Sequence, residues 1–89
     1  MFEYIAKYSR TFNESVKKFV INKKTRRMLG KDILFVLEKP YWKAEKVEGY
    51  FRKNVCAGRF RIFYSINEKN KEVYFHLFRL KDKQTYKNL

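Results

Sequence analysis

From Gly58 to Ile66 the chain alternates strictly, with Phe60, Ile62, Tyr64 and Ile66 on one side and Arg59, Arg61, Phe63 and Ser65 on the other. A period of two is that of a β-strand with one apolar face. Similar runs, "GYFRKNV" before it and "KEVYFHLFRL" after it, are separated from it by "CAG" and "NEKNK", so residues 49 to 80 read as two consecutive hairpins, a three-strand meander. Phe2 to Ser9 alternates more loosely and predicts an opening strand.

Between these strands the period changes. Thr11 followed by Glu14 matches a capping box, and Phe12, Val16, Phe19 and Val20 then recur at helical spacing. A break at Asn22 to Thr25 precedes a second helical run carrying Leu29, Ile33, Val36 and Leu37, which ends at Pro40. An αα-hairpin is the simplest reading. Gly30 inside the second run costs about 1 kcal/mol relative to Ala, which keeps one longer bent helix open as an alternative. Residues 41 to 48, "YWKAEKVE", read as an ordered loop anchored by Tyr41 and Trp42.

The order predicts an α+β fold: an N-terminal strand, a two-helix hairpin, then an antiparallel three-strand meander, with both helices on one face of the sheet. The 89 residues suit one domain, 1–89, with Leu29, Ile33, Val36 and Leu37 packed on Phe19, Phe60, Ile62 and Tyr64. The free face would then carry Arg59, Arg61, Phe63 and Ser65. If Val73, Phe75, Leu77 and Arg79 share that parity in the last strand, and Tyr50, Arg52 and Asn54 in the first, then Arg52, Arg61 and Arg79 converge on three adjacent strands. Like charges so placed repel unless an anion sits among them.

Composition sharpens this picture. Twenty-two Lys and Arg against nine Asp and Glu give a formal charge of +13, which calls for an acidic partner, nucleic acid foremost. Cys56 is the only cysteine, so an internal disulfide is excluded, and it reads as a small filler beside a turn. The single histidine, His76, rules out a histidine pair and reads as a core or interface residue. No His/Cys/Asp cluster has ligand spacing, so no metal and no cofactor is expected. Without an apolar run near ~18 residues or a leader-like start, no membrane association is expected and the chain reads as cytoplasmic.

The element order, the small basic chain, the segment "GYFRKNVCAGRFRIFYSINEKNKEVYFHL" and a tyrosine in a basic tail resemble the RelE/ParE superfamily of type II toxin–antitoxin toxins. The sharpest part is Gly49-Tyr50-Phe51-Arg52 followed by Gly58-Arg59-Phe60-Arg61-Ile62-Phe63-Tyr64. Asn54, where some members carry a second basic residue, and the turn "VCAG", longer than usual, depart from the pattern. The resemblance implies a ribosome-dependent mRNA interferase acting in the A site by metal-independent 2′-OH attack, restrained by a RelB-like antitoxin. It implies functional residues at Arg52, Arg61, Arg79 or Lys81, and Tyr86; on this basis Arg61, Arg79, Lys81 and Tyr86 are expected as the catalytic set, and Arg52, with the neighbouring cations Lys53, Arg59 and Lys83, as RNA contacts. A ParE-like gyrase poison, or a catalytically silent RNA- or partner-binding relative, is the alternative within the same fold.

Overall fold

The computed structural model describes residues 3 to 81. It contains β1 (Ile5–Tyr8), α1 (Arg10–Phe19), α2 (Lys23–Glu38), β2 (Glu45–Val47), β3 (Tyr50–Val55), β4 (Phe60–Asn67) and β5 (Glu72–Leu80). These form the expected α+β architecture, one sheet of order β1-β5-β4-β3-β2 with the helix pair on one face.

Two features differ from expectation, and a third settles what the sequence left open. The first helix starts earlier: Ser9 is its cap, its Oγ accepting the Phe12 N–H at 2.9 Å and donating to the His76 carbonyl at 2.7 Å. Thr11 therefore lies inside the helix. A serine that bonds both the helix start and strand β5 satisfies two polar groups at once, which a Thr11 cap would not. Second, the segment taken as a loop contains β2, a three-residue edge strand antiparallel to β3. Third, β1 pairs in parallel with β5 at the other edge, Ile5 opposite Glu72 and Tyr8 opposite Phe75.

The helices are two separate rods. Asn22 caps the second, its Oδ1 accepting the Thr25 N–H at 2.7 Å, and α2 runs unbroken through Gly30. The core lies between the helices and the sheet. Ile62, Tyr64, Val73 and Phe75 are fully buried, Phe12 packs its ring against Phe75 and Phe78, and Leu29, Val36 and Leu37 close the α2 side. The expected inward set on β4 is inward, with Ile66 partly buried against the core. Phe19 is the exception, half-exposed at the end of α1 and touching only the rim of the core near Phe60.

Two polar contacts, one buried and one partly so, lock α2 and its exit to the sheet. The Tyr64 hydroxyl donates to the Pro40 carbonyl at 2.7 Å, and Asp32 accepts the Cys56 N–H at 2.8 Å. The second holds a demanding turn, because Cys56, Ala57 and Gly58 all have positive φ, at 55°, 57° and 83°. Only the third is a glycine, so the first two positions are strained and the Asp32 carboxylate is what secures them. Buried Cys56 fits the filler role, and burial raises its thiol pKa.

Candidate RNA-binding face

The sheet face away from the helices is built in rows by strand register. In one row Asn54 of β3 stands opposite Arg61 of β4, which stands opposite Arg79 of β5. In the next, Glu45 of β2, Arg52, Phe63 and Leu77 lie across four strands. Farther along, Ser65 stands opposite Tyr74, and Tyr74 opposite Lys7 of β1, with Val47 opposite Tyr50 at the other side. Facing residues in an antiparallel pair have Cα atoms about 4.5 to 5.5 Å apart, so Arg61 and Arg79 bring two guanidinium stems side by side.

The third arginine sits elsewhere. Arg52 is opposite Phe63, not Arg61, and its Nη2 bonds the Glu45 carboxylate of β2 at 2.5 Å. Asn54 holds the place beside Arg61, so the expected cluster of three is a pair, with Arg52 diagonal to it and partly neutralised. Arg59 also leaves the expected face. It lies in the turn before β4, where strand alternation no longer applies, and its Nη2 donates to Thr25 Oγ1 on the helix side at 2.8 Å.

Lys53 points to the helix side as well. Its ammonium lies 4.5 Å from the Phe35 ring centre and 5.3 Å from that of Trp42, and burial lowers its pKa. The neighbour parity explains this, because Lys53 faces buried Ile62 across the ladder. Lys81 follows the end of β5, its N–H on the Arg59 carbonyl at 2.9 Å. Lys83 and Tyr86 lie outside the described residues.

The residue that sequence reasoning placed in a core or interface is part of this face. A bulge interrupts the β4–β5 ladder: Phe63 faces Leu77, yet the next residue, Tyr64, faces Phe75, leaving His76 as the extra residue. Val73 and Phe75 consequently point to the helices while Leu77 and Arg79 point away, so the single parity expected for the four is split. His76 sits on the open side between two tyrosines, its ring centre 4.9 Å from Tyr50 and 4.6 Å from Tyr74. Its Nε2 is 2.7 Å from Ser65 Oγ. Burial lowers its pKa, so the ring is neutral at pH 7. The signal available in the sequence was "VYFHLF", where strict alternation would bury either His76 or its neighbour Leu77.

The open face is thus graded along the strands: two arginines at one end, Phe63 and Leu77 as an apolar floor in the middle, and an aromatic trio at the other. Such a face can hold a phosphate at the first end by paired guanidiniums and a flat ring at the second by stacking. Among the described residues no group of three His, Cys, Asp or Glu is placed to hold a metal ion, and no helix is long and apolar enough to cross a membrane.

No family model matches the sequence, and no curated relative does. Solved structures do match the fold. A chain of the intact Escherichia coli RelBE toxin–antitoxin complex aligns with a TM-score of 0.73 at 17% identity, covering 90% of this chain and 99% of that one. The isolated E. coli RelE toxin aligns at 0.71 and 15%, covering 96% and 93%. A chain of the archaeal RelE–RelB complex from Pyrococcus horikoshii gives 0.69 and 15%, covering 91% and 98%. The agreement runs over nearly the whole length of each partner, helices and sheet together, and the protein has the RelE-like toxin fold.

Proposed function

We propose that the protein is the toxin of a type II toxin–antitoxin pair and cleaves messenger RNA on the ribosome. The observation that carries this reading is the Arg61–Arg79 pair, set directly opposite one another on the open sheet face of a RelE-like fold. In 2′-OH attack the 2′ oxygen bonds to phosphorus, the bond to the 5′ oxygen breaks, and a 2′,3′-cyclic phosphate and a 5′-OH result. A base takes the 2′ proton and an acid supplies one to the leaving oxygen. Negative charge grows on the phosphoryl oxygens meanwhile. Two permanently charged forks on adjacent strands stabilise that charge more than the ground state, which is the condition for rate enhancement.

Arg61 and Arg79 are the phosphate clamps in this reading, with Arg52 contacting the RNA backbone one row away. Proton transfer falls to Lys81, Lys83 or Tyr86. A RelB-like antitoxin is the protein partner, and the matched structures include RelE–RelB complexes. An acidic segment laid over the +13 chain would relieve its self-repulsion.

One observation favours the second reading, a non-cleaving toxin acting on DNA gyrase: Asn54 occupies the place beside Arg61 where another cation would complete the clamp. The two readings part in a translation extract with RNA ends mapped. The chain should produce new 5′-OH ends within messages, and Arg61→Ala should slow their appearance by on the order of 100-fold without lowering the melting temperature. Arg61→Lys should recover part of the rate. In cells, growth arrest should be relieved by co-expressing the product of the adjacent reading frame. A stable Arg61→Ala variant that cleaves normally, or arrest with intact RNA and inhibited gyrase, overturns the assignment.

A further inference from the structure

We infer that Tyr50, His76 and Tyr74 form a nucleobase-stacking subsite, separate from the arginine pair, that grips the same single strand of RNA away from the scissile phosphate. The inference rests on the RNA-binding reading and adds a second point of contact to it.

Three independent features carry it. The first is exposure: on a sheet face that no element of the described chain covers, Tyr50 and Tyr74 present 37% and 42% of their surface. Their rings meet that of His76 at under 5 Å between centres, Tyr50 edge-on at 62° and Tyr74 tilted by 32°, so β3 and β5 gather three aromatic rings on the open face. The second is the bulge. A regular β4–β5 ladder could not put both His76 and Leu77 on the open side, and the extra residue interrupts pairing within an otherwise continuous hairpin. Bulges that re-aim a side chain concentrate beside binding and catalytic sites. The third is fixation, because Ser65 holds the Nε2 edge of His76, leaving the ring orientation defined before any ligand arrives. Burial keeps that ring uncharged at neutral pH, as suits a stacking platform.

Position then selects the ligand. Ser65 is four residues along β4 from Arg61, about 13 Å at ~3.3 Å per residue, too far for one nucleotide's phosphate and base to meet both ends. Phe63 and Leu77 pave the interval with apolar surface. A basic, aromatic-bearing sheet recognises single-stranded RNA through stacked bases and a tracked backbone. The +13 charge of the chain as a whole works against a basic partner.

The test uses two six-nucleotide probes with 2′-O-methyl groups to prevent cleavage: a hexauridylate, and an abasic hexamer of the same charge. The wild-type chain should bind the hexauridylate more tightly. Tyr74→Ala should weaken hexauridylate binding about tenfold and leave abasic binding unchanged, whereas Arg61→Ala should weaken both. Tyr74→Phe should retain the ring and the affinity, and melting curves for each variant guard against misfolding, which the exposure of Tyr74 makes a small concern. If Tyr74→Ala and Tyr50→Ala both bind hexauridylate like the wild type while Arg61→Ala does not, the subsite is wrong and the RNA reading stands. If the wild type binds neither probe, or binds an acidic peptide through Tyr74 in place of RNA, the subsite falls, and the mapping of RNA ends in a translation extract decides the cleavage reading separately.

Discussion

Ile62 and Arg61 are neighbours in sequence with opposite environments, one fully buried and one on the open face opposite Arg79. That division was legible because β4 keeps strict alternation over its whole length, and a one-residue slip would have buried Arg61 and exposed Ile62. Ile62→Ala should cost about 2 to 5 kcal/mol, read by urea denaturation, because the cavity opens in the fully buried core between helices and sheet. A loss smaller than about 1 kcal/mol would mean the strand's facing is reversed. His76 was not legible in the same way. Its role depends on a register change that pairing with β4 imposes, and alternation in one strand carries no information about its partner's ladder. Arg59 and Lys53 turn to the helix side for related reasons, one because a turn of positive-φ residues re-aims it, the other because it sits one position off the open parity.

At the scale of elements, the helices and the three long strands could be read from period alone, whereas β2 could not. Glu45-Lys46-Val47 is too short and too polar to show a pattern, and it is a strand because β3 offers it an edge. Its effect on the site is direct, since it delivers Glu45 to Arg52. The α1 cap was misplaced by two residues because both Ser9 and Thr11 are good caps locally, and the contact of Ser9 with β5 decides between them. Gly30 lies in the interior of α2 on its exposed side, with nothing within 4 Å of the position a β-carbon would take. Gly30→Ala should therefore stabilise the protein by about 0.5 to 1 kcal/mol, read as a rise in melting temperature. A fall in melting temperature would show that the helix needs the glycine.

Across the whole molecule, one carboxylate gathers segments distant in sequence. Glu68, in the β4–β5 turn, accepts from Tyr41 after α2, from Tyr4 before β1 at 2.8 to 2.9 Å, and from Lys71 at 3.0 Å. The Tyr41 bond, then those of Lys71 and Tyr4, hold its pKa down to about 2. A carboxyl depressed in the folded state contributes stability that is present above its unfolded value, near 4.3, and is lost as pH falls toward 2. His76, flanked by Tyr50, Tyr74 and Ser65, has a lowered pKa, so the unfolded chain binds its proton first and stability also drops as pH falls below about 6.5. Acid should thus destabilise in two windows, with the lower one abolished in Glu68→Gln. Chemical denaturation from pH 7 to pH 3 separates them, and an unchanged lower window in the variant would remove Glu68 from the account.

The parallel seam between β1 and β5 has a consequence for the protein's birth. Ile5 donates to the Lys71 carbonyl and Ser9 to that of Phe75, so the first strand and the cap of α1 wait for partners some 66 residues downstream. Closing so long a loop is entropically slow compared with forming the helices or the β3–β4 hairpin. Until β5 emerges, Phe12 lacks Phe75 and Phe78, and Arg61 lacks Arg79. A nascent chain still short of that strand carries no assembled arginine pair, so the phosphate clamp proposed above comes into being only once translation has passed β5.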